Sequence, residues 1–147
     1  MIDSLYFRDI VSSLENVLYY ERGGGSFFRA TMIGTNFIDR KRIEGNTSEE
    51  VFENCVKEMR ENNIVKDASY KKDKDGTLFT FEIENCMHLP IEAKLKEEGV
   101  PTYICPPTNM ILWKIREIMD LAVEIADITV DQDSGRCIIR VVVFKQK

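Results

Sequence analysis

Three cysteines and the single histidine are the residues of this chain best suited to act together: Cys86, His88, Cys105 and Cys137. Cys86 and His88 stand two residues apart, so in extended backbone their side chains share a face. Cys105 precedes Pro106-Pro107 at the expected start of a helix, where the macrodipole favours a thiolate. Cys137 opens the last apolar run, next to a turn. All three cysteines therefore fall at the ends of expected elements, where ligands to a common ion can converge. Three thiolates with an imidazole, or with a carboxylate such as Glu124, complete the tetrahedral set that zinc prefers. The wide intervals between these cysteines match no diagnostic metal signature, so buried thiols and a redox pair stand as the alternatives. The fourth cysteine, Cys55, falls in the apolar stripe of an expected helix and reads as core.

Other catalytic constellations are absent. The chain has no GxSxG, HExxH, GxxxxGK[ST] or GxGxxG pattern. Nothing in the sequence pairs His88 with a serine or cysteine nucleophile. The abundant carboxylates are expected on solvent faces. Gly23-Gly24-Gly25 lacks the Gly-Lys-Ser/Thr of a phosphate cradle and reads as a flexible turn. Binding is therefore expected ahead of catalysis.

The elements that must position these residues fit one domain, 1–147, long enough to bury a core. No apolar run reaches the ~18–20 residues that span a bilayer, and no basic leader precedes the first apolar pattern. A cytoplasmic, soluble chain is expected, without a disulfide framework. The net charge of −5 argues against direct nucleic-acid binding. Arg40-Lys41-Arg42 and Lys71-Lys72-Asp73-Lys74 read as solvated loops.

Leu5 to Tyr20 is expected to be helical, with Ile10, Leu14, Val17 and Leu18 at helical spacing, Asp3 or Ser4 as cap and the triple glycine as stop. A second helix is expected over Ser26–Asp39, with Phe28, Met32 and Ile33 inward, and Gly34 allowing close packing or a bend. Thr47 and Glu50 make a capping box for a helix over 48–62 that buries Val51, Phe52, Cys55, Val56 and Met59. Residues 64–70 and 77–85 read as a hairpin around Asp75-Gly76, with Phe79, Phe81 and Ile83 on its dry face. A short helix follows over 90–98, ended by Gly99. The strongest helical pattern is 108–121, with Ile111, Leu112, Ile115, Ile118 and Met119 on one face. Strands over 123–130 and 137–144 meet at a Gln132–Gly135 turn, the last of them apolar on nearly both faces, as a central strand is. The order predicts an α+β fold: a largely antiparallel sheet packed against helices.

The run from Tyr103 to Phe144, "YICPPTNMILWKIREIMDLAVEIADITVDQDSGRCIIRVVVF", resembles the vinyl-4-reductase domain family. The shared pattern is a cysteine before an amphipathic helix, an acid-bearing strand, and a glycine turn with a cysteine entering the final apolar strand. "FFRATMIGTNFID" is similar to the family's early helix. The resemblance implies the fold shared with TRAPP transport-particle subunits, a sensory or ligand-binding role, and homodimers. In zinc-containing members it implies ligands that map onto Cys105, Glu124 and Cys137. The chain departs from the pattern where Ala126 or Asp127 replaces a further cysteine, and Cys86 or His88 is the candidate for that vacancy. The implied cofactor is zinc or iron. A small hydrophobic ligand would lie between helices and sheet, with Phe28, Met32, Phe37, Tyr103 and Trp113 as candidate lining residues.

Four functions are open at this point. The first is a stand-alone sensor or carrier domain for a small hydrophobic molecule, with a structural metal. The second is a metal-free thiol redox switch. The third is an enzyme acting on a tetrapyrrole side chain, and the fourth a structural adaptor.

Overall fold

The computed structural model describes residues 4–22 and 30–144. The first helix forms as expected, α1, Ser4–Arg22. Asp3, the Gly23-Gly24-Gly25 stop and Phe28 lie outside the described residues. The orientation of α1 is the surprise. Ile10, Leu14 and Val17 point to solvent, with Leu14 64% exposed. The face turned inward carries Val11, Ser12, Glu15, Leu18 and Tyr19.

One continuous helix over Ser26–Asp39 does not form. A 3-10 turn, Ala30–Met32, leads through Gly34 to a short helix, α2, Thr35–Asp39. Gly34 has φ +93°, and a Cβ there would stand 3.0 Å from the Pro106 Cβ, so glycine supplies both the bend and the close approach. Met32 and Ile33 are exposed rather than inward. Asn109 anchors this segment instead, its amide donating to the Ala30 carbonyl at 2.8 Å and the Ile33 carbonyl at 3.0 Å.

Helix α3, Ser48–Glu61, is capped by Thr47, whose hydroxyl accepts from the Glu50 N–H at 3.2 Å. The Glu50 carboxylate closes the box on the Asn46 N–H, one residue earlier than the usual partner. Val51, Phe52, Cys55, Val56 and Met59 are all buried. The hairpin forms as β1, Asp67–Lys72, and β2, Leu78–Glu84, with Phe79, Phe81 and Ile83 inward. Helix α4 spans Leu89–Glu97. Helix α5, Pro106–Met119, starts two residues ahead of its apolar pattern because prolines suit a first turn that needs no N–H.

Strands β3, Ala122–Asp131, and β4, Arg136–Phe144, complete a four-stranded antiparallel sheet in the order β1-β2-β4-β3. Strand β4 is central, as its composition predicts, but only one of its faces is buried. Cys137, Ile139, Val141 and Val143 point into the core under α3 and α5. Arg136, Ile138 and Arg140 point outward, where Arg136 pairs with Glu82 at 2.7 Å and Glu84 at 3.3 Å, and Arg140 with Asp127 at 3.4 Å. Apolar β-branched residues tolerate this open face because they suit the pleat whether or not it is covered. The chain is thus an α+β layer with helices on one side of the sheet.

A second, smaller apolar cluster joins α1 to α4: Ala30, Ile91, Leu95, Val100, Tyr103 and Ile104, with Val11, Leu18 and Tyr19 at its edge. The segments around Cys86 and Cys105 lie at the seam between the two clusters. No described helix is long and apolar enough to cross a membrane.

Candidate functional site

Antiparallel pairing brings the cysteines together. Strand β2 ends beside the start of β4, so Ile83 pairs with Cys137 and Glu84 with Arg136. Cys86 follows two residues after β2, held there by the Asn85 N–H on the Gly135 carbonyl at 2.7 Å. Cys105 caps the N-terminus of α5 over the same end of the sheet. Cys86, Cys105, Cys137 and His88 all line one small cavity, with Ile83, Leu89, Glu92 and Ile128 among its other walls. At about 10 Å³ it has room for roughly one water molecule.

The thiols are free and buried. Burial pushes the Cys105 thiol up to about 11, although Thr108, which takes the S–H at 3.1 Å, works in the opposite direction. Burial, then the neighbouring Cys105 and Glu92 charges, pushes Cys137 up to about 12. Cys86 moves further the same way, mainly by burial, while the His88 N–H donating to its sulfur at 3.4 Å opposes the rise. The expected thiolate at the helix N-terminus is therefore corrected: loss of water around Cys105 outweighs the macrodipole. Burial also lowers the pKa of His88, which keeps its ring neutral near pH 7.

Glu124 does not join this group. It pairs with Val142, whereas Val130, six residues further along β3, pairs with Cys137. At ~3.3 Å per residue that places Glu124 about 20 Å away, at the opposite end of the sheet. It faces Arg116 instead. Among the described residues no three histidine, cysteine or acidic side chains are arranged to hold a metal ion. The donors as they stand do not fit the expected zinc or iron centre.

A larger cavity of about 180 Å³ adjoins the first across His88, Ile104 and Pro106, which line both. Its remaining walls are Val11, Leu14, Glu15, Leu18 and Ile33, so it is apolar apart from His88 and one carboxyl. Sequence reasoning missed that carboxyl. Glu15 is only 8% exposed, and its Oε2 has no hydrogen-bond partner. Burial first, then the nearby Glu92 charge, raises Glu15 to about 8. Glu92, 6% exposed, is raised to about 7 by burial, with a Thr102 hydrogen bond acting against the rise. The available signal was positional: Glu92 lies four residues after His88 and three before Leu95, on the inward stripe of α4. For Glu15 the more conspicuous Ile10, Leu14, Val17 stripe concealed it.

The candidate ligand-lining residues are not gathered together. Tyr103 sits in the smaller cluster, its hydroxyl donating to the Glu15 carbonyl beneath the cavity. Phe37 and Trp113 pack at the edge of the main core and line neither cavity, Phe37 lying under Lys41 and Trp113 donating to Asp39 at 2.9 Å. Met32 is exposed, and Phe28 lies outside the described residues.

No family model matches the chain. No curated protein matches it either. Among solved structures it is similar to a trafficking protein particle complex subunit 3 from Naegleria fowleri covalently bound to palmitic acid. The two are 14% identical, with 95% of this chain and 94% of that one covered, at a TM-score of 0.52. At that identity the likeness establishes the fold, that of a transport-particle subunit.

Proposed function

We propose that this chain is a cytoplasmic small-molecule binding domain that takes a compact hydrophobic ligand between α1 and the Cys86–Pro106 region. The observation that carries the reading is the cavity walled by Val11, Leu14, Leu18, Ile33, Ile104 and Pro106. Binding sites are concave, mostly apolar and furnished with few polar groups, and this one has His88 and Glu15. The subunit of similar fold, bound to palmitic acid, supports an apolar occupant. The resemblance of Tyr103–Phe144 to the vinyl-4-reductase family implies the same ligand-binding role.

n-Butylbenzene tests the reading, followed by saturation-transfer NMR and by the ligand-dependent shift of the unfolding midpoint. Binding is expected, and Val11→Phe, which fills the cavity from the α1 wall, is expected to weaken it about tenfold. A protein that binds no such probe, or binds it equally well in the Val11→Phe variant, is not this kind of domain.

The homodimer belongs to the same proposal. Tyr6, Phe7, Ile10, Leu14 and Val17 leave a broad apolar face of α1 exposed, as interaction surfaces do. Sedimentation velocity is expected to report the mass of two chains; a monomer at high concentration removes the dimer.

A second reading rests on the thiols. Cys86, Cys105 and Cys137 come from three distant segments yet line one cavity, as a redox switch requires. Their raised pKa values make exchange slow at neutral pH and faster as pH rises. Peptide mapping after diamide treatment at pH 9 is expected to find one disulfide between two of these three cysteines. Four free thiols after that treatment eliminate the switch. Elemental mass spectrometry of the same preparation decides the metal: one zinc or iron per chain, lost in Cys105→Ser, restores it.

A further inference from the structure

Glu15 is an anomaly that hydrophobic binding alone does not explain. Buried carboxyls are normally paired or hydrogen-bonded, because an unsatisfied one loses its hydration without compensation. Here Oε2 has no partner, and among the described residues neither Glu15 nor Glu92 takes part in an ion pair. The fold nevertheless places the group on the inward face of α1, as the one acidic lining residue of an otherwise apolar cavity. Glu92, which lines the adjoining small cavity, stands close enough to Glu15 for the two charges to interact. An apolar chamber with an unpartnered carboxyl buried in its wall is complementary to an amphiphile with a cationic donor at one end.

We infer that the cavity takes a small organic amine, its aromatic or short alkyl portion against Val11, Leu18, Ile33 and Ile104, and its protonated nitrogen on Glu15. This rests on the proposed ligand-binding reading and specifies the chemistry of the occupant. An ammonium supplies three N–H donors and the opposite charge in a setting shielded from water, where such hydrogen bonds are strongest. At pH 9, where Glu15 is ionised, a carboxylate head would meet like charge at this wall. About 180 Å³ is on the scale of a single ring with a short linker, since cavities of roughly 150 Å³ accept benzene.

The test is a tail-matched series measured by calorimetry on the full chain at pH 9, where Glu15 is ionised and the amine still protonated: 4-phenylbutylamine, 4-phenylbutanol, 4-phenylbutyrate and n-butylbenzene. The amine is expected to bind about tenfold or more tighter than the alcohol, as one charge-assisted hydrogen bond requires, and the carboxylate weakest of all. In Glu15→Gln the amine preference is expected to vanish while n-butylbenzene binding persists. An alcohol or carboxylate that binds as tightly as the amine overturns the inference and leaves the hydrophobic-site reading intact. So does an amine preference that survives in Glu15→Gln. If none of the four binds, n-butylbenzene included, the inference falls together with the site itself.

Discussion

Replacing Glu15 with Gln is expected to stabilise the ligand-free protein by on the order of 3 kcal/mol at pH 9 and by almost nothing at pH 4.5. The sign follows from proton binding. The folded chain holds the Glu15 proton up to about pH 8, whereas an unfolded chain releases it near the usual carboxyl value of 4.5. Between those limits the folded state binds more protons than the unfolded one, so wild-type stability declines as pH rises through the window. Above pH 8 both states are ionised and the full desolvation penalty stands. Gln keeps the shape and carries no charge, so the variant escapes the decline. Residual solvent screening at the cavity mouth makes the figure smaller than the full shift implies. Relief of the Glu92 charge that faces Glu15 acts in the same direction above pH 7, while His88, whose lowered pKa removes stability as pH falls below 6.5, does so in both proteins. Urea unfolding of the two proteins at pH 5, 7 and 9 measures this directly. Parallel stability profiles would mean that Glu15 is not a desolvated acid, and the carboxyl at the cavity wall would lose its significance.

The second large effect lies in the body that holds the site. Phe81 is fully buried in the middle of β2, with ring centroids 4.9 Å from Phe52, 5.9 Å from Tyr70 and 6.5 Å from Phe79. Phe81→Ala removes this contact between α3 and the sheet and leaves a cavity that the rigid β2–β4 pairing cannot collapse. The expected loss is about 4 kcal/mol, a large part of the ~5–15 kcal/mol that holds a domain folded. Ile138→Thr, on the open face of the adjacent β4, is expected to cost less than about 1 kcal/mol. Urea midpoints at constant slope make the comparison. A Phe81→Ala loss below about 1 kcal/mol would show that the aromatic cluster is not the core of this fold.

The contrast between Phe81 and Ile138 marks the limit of what local pattern reveals. Periodicity identified α3, α5, both hairpins and their turns, because each rests on interactions within a few residues of chain: the Thr47 cap, the Asp75-Gly76 turn, and the alternation of Phe79, Phe81 and Ile83 with polar neighbours. It also placed Cys105 at a helix start and Cys86 and Cys137 at strand ends. It failed where a long-range partner decides. The apolar stripe of α1 reads the same whether it faces a core or open solvent, and here α4 and Tyr103 select the opposite face. Ser26–Asp39 has helical composition, but the approach of Gly34 to Pro106 across more than seventy residues forces the bend.

The site divides in the same way. Local pattern was enough to supply three thiols and one imidazole at element ends, and an antiparallel sheet under helices. Which of them meet depends on contacts between segments far apart in the chain. The strand order β1-β2-β4-β3 sets Cys86 and Cys137 at one end of the sheet and sends Glu124 to the other. The packing of α1 on α4 buries Glu15 and Glu92, two carboxyls that local pattern assigns to solvent. Burial is a property of what the rest of the chain places overhead, and the free energy of a desolvated charge is set there.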